Sequence, residues 1–396
     1  MNAPAALAGL KVLDCTHVIA GAWCSMMLAD LGADVVKIEP LSGETTRGHP
    51  KARFKAFDFV NRNKRSLAID LSAPRGAQAI LALARTADVF VENYRPGVLE
   101  RMGLGYAAMK AVNPALVYCS VSGFGLTGPY SERGGFDLIA QGMSGIMSFT
   151  GEAGAKRPSA CGVPLSDLNA GTFAALGVLA ALRHRDTTGQ GQHVETSLLE
   201  SALAYTVWES GVYLTTGEVA APRGSRHRLA APYEALKTGD GFIVVGVNNQ
   251  RLWERFCAAL GDDDLVRDPT FADGRARVIN RDALQARLET ILASAGADDW
   301  IARLLAKGVP CGPVNTIAQA LADPQVVARG LLAQVDGRSF VRAPIGLSAT
   351  PVAVTRGPPP LGAHSREVLS QAGMTGDQID DLVEGGVLSE GTGEGA

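Results

Sequence analysis

The chain is predicted to be an α/β protein with a doubly wound, largely parallel sheet and a smaller α/β domain. Short β-prone runs alternate with helix-patterned stretches over the first 120 residues. The strand–helix–strand spacing is about 30 residues, the size of a right-handed parallel crossover. After residue 220 the alternation gives way to a different texture.

Leu10-Lys11-Val12-Leu13-Asp14 is the first β-prone run, and Trp23 to Leu31 follows with the period of an amphipathic helix. Gly32 ends that helix, and Val35-Val36-Lys37-Ile38-Glu39 is the second strand. The pattern recurs with a strand at 66–71, a helix at 76–86 and strands at 87–93 and 116–121. Residues 167–185 read as a helix of small apolar residues, closed by Thr187-Thr188-Gly189-Gln190-Gly191-Gln192, and a strand follows at 193–198. Residues 222–232 are basic and turn-rich, 241–246 form a strand, and two or three helices run to about 322. The stretch 340–363 holds five prolines and is expected to be extended. A helix at 365–371 and a frayed Gly/Glu tail close the chain.

A length of 396 residues implies at least two domains. Hydrophobic residues at 46% and charged residues at 19% suit a soluble enzyme. A net charge of −3 gives no basic field to attract nucleic acid. One local cluster, Asn61-Arg62-Asn63-Lys64-Arg65, is expected to be able to grip a small anion. The six cysteines lack CxxC pairing or metal-like spacing and read as reduced structural thiols. With no signal-like start and no apolar run of about 18 residues, the expectation is a soluble, cytoplasmic protein without a membrane partner.

Glu39 lies 18 positions after Gly21, near the spacing of a dinucleotide-binding fold. The loop Thr16-His17-Val18-Ile19-Ala20-Gly21-Ala22-Trp23, however, has one glycine where that fingerprint needs three. The histidines never pair at ligand spacing, so no metal is expected. GxSxG is absent. Asp167, at the head of an apolar helix, has two readings. It is an N-cap satisfying free backbone N–H groups, or a carboxylate nucleophile beside helix N–H groups that hold an oxyanion.

In order along the chain come Leu13-Asp14-Cys15-Thr16-His17-Val18-Ile19-Ala20-Gly21, Asp30 through Glu39, Asn63-Lys64-Arg65-Ser66, Val91-Glu92-Asn93-Tyr94-Arg95-Pro96-Gly97, Arg101-Met102-Gly103, the Asp167 segment, and Thr188 to Gln192. With these the chain, from about 8 to 365, resembles the class III CoA-transferases, the family of formyl-CoA:oxalate and carnitine CoA-transferases. Within it, the chain is most similar to enzymes using succinyl-CoA and dicarboxylates such as glutarate. The resemblance implies a Rossmann-like large domain and a small domain, in a homodimer of two interlocked rings. The matching domains are 1–200 for the N-terminal part of the large CoA-binding domain, 201–225 for a linker, 226–328 for the small domain, and 329–396 for the return to the large one.

The resemblance also implies the chemistry. Asp167 attacks the donor acyl-CoA, giving a mixed anhydride and CoA thiolate. The thiolate then attacks the aspartyl carbonyl, releasing the donor acid and leaving an aspartyl-CoA thioester, and the acceptor acid reverses both steps. Coenzyme A or acyl-CoA is the substrate, with no permanently bound cofactor, no metal and no ATP. Matching CoA contacts are Val18, Ile19, Ala20, Ile69, Ser72, Asn93, Tyr94, Arg101, Ser122, Gly123 and Phe124, with Arg101 as the phosphate partner. Pro40 and Ser72 replace basic residues of some relatives. Asn248, Asn249 and Gln250 replace the glycine-rich loop of the formyl-CoA enzyme and are substrate candidates. Arg47 is a candidate for a distal carboxylate, as are Arg223, Arg226, His227 and Arg228, which read equally as an interdomain turn. The rival readings are an acyl-CoA racemase, against which Phe136 stands where a proton-transferring histidine is needed, and a non-catalytic CoA-binding subunit.

Overall fold

The β-prone runs of the first 200 residues become six strands: β1 (Lys11–Cys15), β2 (Asp34–Glu39), β3 (Lys64–Ile69), β4 (Val89–Glu92), β5 (Val117–Ser122) and β6 (His193–Ser197). This computed structural model describes residues 5–49 and 51–391. The strands pair in parallel in the order β3-β2-β1-β4-β5-β6, the doubly wound arrangement. Most strand positions are buried because helices cover both faces, which is why the strands read as continuous apolar runs. Alternate residues serve opposite cores. Leu13, Val36, Leu67 and Phe90 face one cluster, while Val12, Val35, Val89 and Val117 face the other.

The chain divides into two units. One comprises Met1–Met147, Ala160–Val219 and Ala328–Ala396, and the other Ser148–Ser159 and Ala220–Val327. Residues 201–225, read as a linker, carry most of the helix Leu198–Ala204 and the helix Val207–Thr216. In the second unit, β7 (Tyr233–Lys237), β8 (Phe242–Gly246) and β9 (Cys311–Pro313) form an antiparallel sheet. Its core is built around Trp253, Phe256 and Trp300. Arg277 is buried there with its guanidinium 4.8 Å from the Trp253 ring centroid and donating to carbonyls of Ala231 and Phe271.

Several expectations are corrected. The basic cluster at 61–65 faces inward and offers no free cationic surface, because acids of the same unit claim it. Arg62 pairs with Asp30 at 2.6 Å, Lys64 with Asp14 at 2.8 Å, and Arg65 with Asp34 at 2.5 Å and Glu367 at 3.0 Å. Asn63 instead holds the backbone of Thr355 and Arg356. The 340–363 stretch, expected to be extended throughout, begins inside a hairpin of β10 (Leu332–Val335) and β11 (Arg338–Val341). Its Asp336-Gly337 turn has positive φ at both residues, which short polar Asp and Gly tolerate. Beyond Gln371 the chain is ordered where a frayed tail is expected. Thr375 and Gln378 form a capping box on the helix Gly376–Glu384, and β12 (Leu388–Ser389) pairs antiparallel with β3. Residues 392–396 of that tail lie outside the described residues. The helix Leu165–Thr188 is long and apolar enough, by composition, to span a membrane, although Asp167, Asn169 and Thr172 break its apolar run. Half of that stretch is buried, packed on β5, β6 and the helix Ala20–Asp30.

Candidate active site

The strand order reverses between β1 and β4, and an α/β sheet leaves a crevice at the carboxyl ends of such strands. The chain leaving β1 is held there by buried charge. Asp14 accepts from the Thr16 N–H at 3.1 Å, Thr16 Oγ1 at 2.5 Å, Ser25 Oγ at 2.6 Å and Lys64 Nζ at 2.8 Å. Lys37 Nζ donates to the Thr16 carbonyl at 2.6 Å. Although burial opposes its charge, the two lysines keep the Asp14 carboxyl well below the usual range. From the other side Asn93 accepts the His17 N–H at 2.7 Å and donates to the His17 carbonyl at 2.8 Å. Between these clamps Val18 sits at φ 61°, a left-handed conformation strained for a β-branched residue, and is 43% exposed.

The helix carrying Asp167 is brought to the same place by close packing. Gly171 leaves room for the Ala20 carbonyl, which a Cβ would approach to 2.3 Å. Trp23 donates its indole N–H to Thr172 Oγ1 at 3.2 Å and so ties the two helices together. A Cβ on Gly123 would lie 2.6 Å from Gly135 Cα, so two bare glycines let the 133–136 segment lie directly on the end of β5.

The cap reading of Asp167 is overturned, and so is the idea that its neighbouring N–H groups await an oxyanion. Asp167 is the third residue of the Leu165–Thr188 helix, and Pro164 occupies the cap position. Asp137, which opens the helix Asp137–Met143, supplies the missing acceptor. Its Oδ1 takes the N–H of Ser166 at 2.7 Å and that of Asp167 at 3.4 Å, and its Oδ2 takes Gln141 Nε2 at 2.7 Å. The Asp167 carboxylate is thus relieved of capping and accepts no hydrogen bond among the described residues. Burial, and secondly the Asp137 charge, push its pKa up to about 7. An unpartnered, half-buried carboxylate of this kind marks functional sites more often than structural ones.

Asp167 lines a cavity of about 240 Å³ together with Val18, Ile19, Ala20, Asn93, Tyr94, Ser122 and Gly123 of the expected set. The remaining members lie elsewhere. Ile69 is fully buried in a core cluster, so its side chain has no ligand-facing surface. Ser72 is exposed and donates to Asp70 at 2.6 Å. Arg101, exposed at the end of the four-residue helix Val98–Arg101, and Phe124, packed edge-on against Tyr130, are not among the lining residues. Arg47 is committed to Glu39 by two bonds of 2.6 and 2.7 Å and lies 3.8 Å over the Phe57 ring. Asn248, Asn249 and Gln250 belong to the second unit, where Asn249 caps the helix Gln250–Leu260 and Gln250 accepts from Arg277 at 3.0 Å.

The cavity also takes in His17, Arg95, Arg133, Gly134 and Phe136, none of them expected as contacts. Asp137 had one sequence signal, an acid opening a helical period just after two glycines. Its partner helix lies 28 residues on, so the signal pointed to no particular acceptor. Phe136 lines the cavity where racemisation needs a proton carrier. No group of three or more His, Cys, Asp or Glu side chains is placed to hold a metal among the described residues.

Residues 7–365 match the family model described as CoA-transferase family III. A succinate–glutarate CoA-transferase of Agrobacterium fabrum is 37% identical over 92% of this chain and 95% of its own length. The human succinyl-CoA:glutarate CoA-transferase is 36% identical over 98% of this chain and 91% of its own. Among solved structures, a CAIB/BAIF family protein from Brucella suis superposes with a TM-score of 0.86 at 36% identity, covering 93% of this chain and all of that one. With a match along nearly the whole sequence, the same fold and an unpartnered aspartate in the switch-point crevice, the chain belongs to CoA-transferase family III and is an enzyme of the CoA-transferase type.

Proposed function

We propose that this enzyme moves coenzyme A from succinyl-CoA to a dicarboxylic acid, with Asp167 as the covalent relay. The observation that carries the reading is the Asp167 carboxylate itself, which accepts no hydrogen bond among the described residues and is pushed up to about 7 in the crevice. In its ionised form an Asp167 oxygen attacks the thioester carbonyl, and the C–S bond breaks to give the mixed anhydride and CoA thiolate. The thiolate sulfur then attacks the Asp167 carbonyl. The donor acid leaves as its carboxylate, and an Asp167–CoA thioester remains. The incoming acid carboxylate runs the two steps backwards. One thioester is exchanged for another, so the balance needs no external energy source.

At about 240 Å³ the cavity is smaller than the roughly 300–1,000 Å³ that takes a drug-sized ligand, so it would receive only the reacting end of the acyl-CoA. The strained Val18 and the bare Gly134-Gly135 backbone line the approach to Asp167. The choice of succinyl-CoA and a diacid is supported by the relatives, which are glutarate CoA-transferases that use succinate or succinyl-CoA.

The active form is proposed to be a homodimer with interlocked subunits. Leu176, Leu203, Val207, Leu214 and Val219 are between 52% and 81% exposed, an apolar surface that a second copy would cover.

The test is intact-protein mass after mixing with succinyl-CoA, for wild type and Asp167→Ala, followed by hydroxylamine and a panel of diacids. A CoA-sized adduct on wild type alone, discharged by particular acids, is the expected result. Transfer that survives in Asp167→Ala would remove the covalent route.

A further inference from the structure

A diacid acceptor presents one carboxylate to the reacting centre and carries a second, still ionised, a few ångströms away. That second charge must either stay in water or meet a cation. Of the basic residues expected for this task, Arg47 is consumed by its bidentate pair with Glu39 and also donates to the Pro359 carbonyl at 3.1 Å. Arg226, in the second unit, already pairs with Asp282 at 2.8 Å and Glu234 at 3.4 Å.

Two other guanidinium groups line the same cavity as Asp167, namely Arg95 and Arg133. Neither has an acidic partner among the described residues, in contrast to the ion-paired arginines of the same unit, Arg62, Arg65 and Arg185. Both are nonetheless held. The Arg133 guanidinium lies 3.8 Å over the Tyr130 ring, which supports its flat face and leaves its N–H edge to donate. Arg95 lies against the backbone of Gly134, where a Cβ would come within 3.0 Å of Nη2. Gly134 therefore lets Arg95 settle beside the segment that carries Arg133. Two supported cations, neither ion-paired among the described residues, share one cavity with the nucleophile.

We propose that Arg95 and Arg133 form the clamp for the distal carboxylate of the diacid, and so set the preference for dicarboxylic over monocarboxylic acids. This rests on the CoA-transfer reading above and adds to it the residues that read the acid. The geometry suits it. A guanidinium offers a planar fork to a carboxylate, and charge-assisted bonds of this type are about twice as strong as neutral ones. Drawing the far carboxylate to this pair also takes negative charge away from Asp167, easing the approach of the near carboxylate to the aspartyl thioester.

The experiment follows the CoA adduct rather than turnover alone. Wild type, Arg95→Met and Arg133→Met are loaded with succinyl-CoA, and discharge of the adduct is timed with glutarate and with butyrate, its equivalent lacking the second carboxylate. The expected result is a loss of about 10- to 100-fold with glutarate for each variant and less than about threefold with butyrate. An equal loss with both acids would assign these arginines to coenzyme A instead, and no loss with either acid would make them solvated surface charge. Both outcomes overturn the clamp. If wild type forms no adduct, the failure lies with the aspartyl route, and the clamp falls with it. Adduct on all three proteins with an unchanged glutarate-to-butyrate ratio would overturn the clamp alone.

Discussion

Replacing Asp167 by Asn should abolish transfer and, above neutral pH, make the protein more stable. The carboxyl pKa rises from an ordinary 3.8 to about 7, chiefly through burial and secondly through Asp137. A carboxylate raised on folding contributes nothing below about pH 4, where folded and unfolded chains both hold the proton. Between pH 4 and 7 the unfolded chain has released its proton while the folded one keeps it, so stability falls as pH rises. Above pH 7 the full penalty stands. A rise from 3.8 to about 7 corresponds to about 4 kcal/mol at 1.36 kcal/mol per decade. Asp167 is half-buried and sits in the first turn of a helix, whose N-terminus favours the anion, so about half of that is the realistic gain. Asparagine keeps the shape and removes the charge. For a unit of this size about 2 kcal/mol appears as a rise of ~3 °C in Tm. Calorimetry of wild type and Asp167→Asn at pH 5 and pH 8.5 checks it, with a clear rise at pH 8.5 and a much smaller one at pH 5. A variant that is less stable at pH 8.5, or shifted equally at both values, would refute the claim that the folded site disfavours the charged carboxylate.

The nucleophile must be ionised, so single-turnover adduct formation should rise with pH through about 7, and Asp137→Asn should move that limb to lower pH. Asn93→Ala removes both bonds that hold His17 and should lower stability by about 2 kcal/mol in chemical unfolding while slowing adduct formation, because Val18 is no longer pinned in its strained conformation. Lys64→Ala leaves Asp14 buried with only Lys37, at 3.6 Å, as ionic partner. The loss should be about 3–5 kcal/mol, read as a fall in Tm, since a buried charge is stripped of its nearer counter-ion.

All six parallel strands were legible because their period and β-branched content do not depend on what packs on them. Residues 336–337 carry a hairpin signal of equal strength, Asp-Gly between β-prone runs, just ahead of the proline-rich stretch and outside the extended reading of 340–363. The basic cluster at 61–65 shows where local reading fails. Its acids stand at Asp14, Asp30, Asp34 and Glu367, up to 302 positions away, so only the folded sheet shows that Arg65 is already neutralised.

The sequence by itself determined the α/β class and the order of the strands along the chain. Those are properties of short segments, where residue type and period act on their neighbours. Only the tertiary structure decided that Asp137 caps the helix and frees Asp167, that Arg47 is spent on Glu39, and that Arg95 and Arg133 meet in one cavity. Each depends on which side chains from distant segments come within a few ångströms, and charge and hydrogen bonding act only at that range.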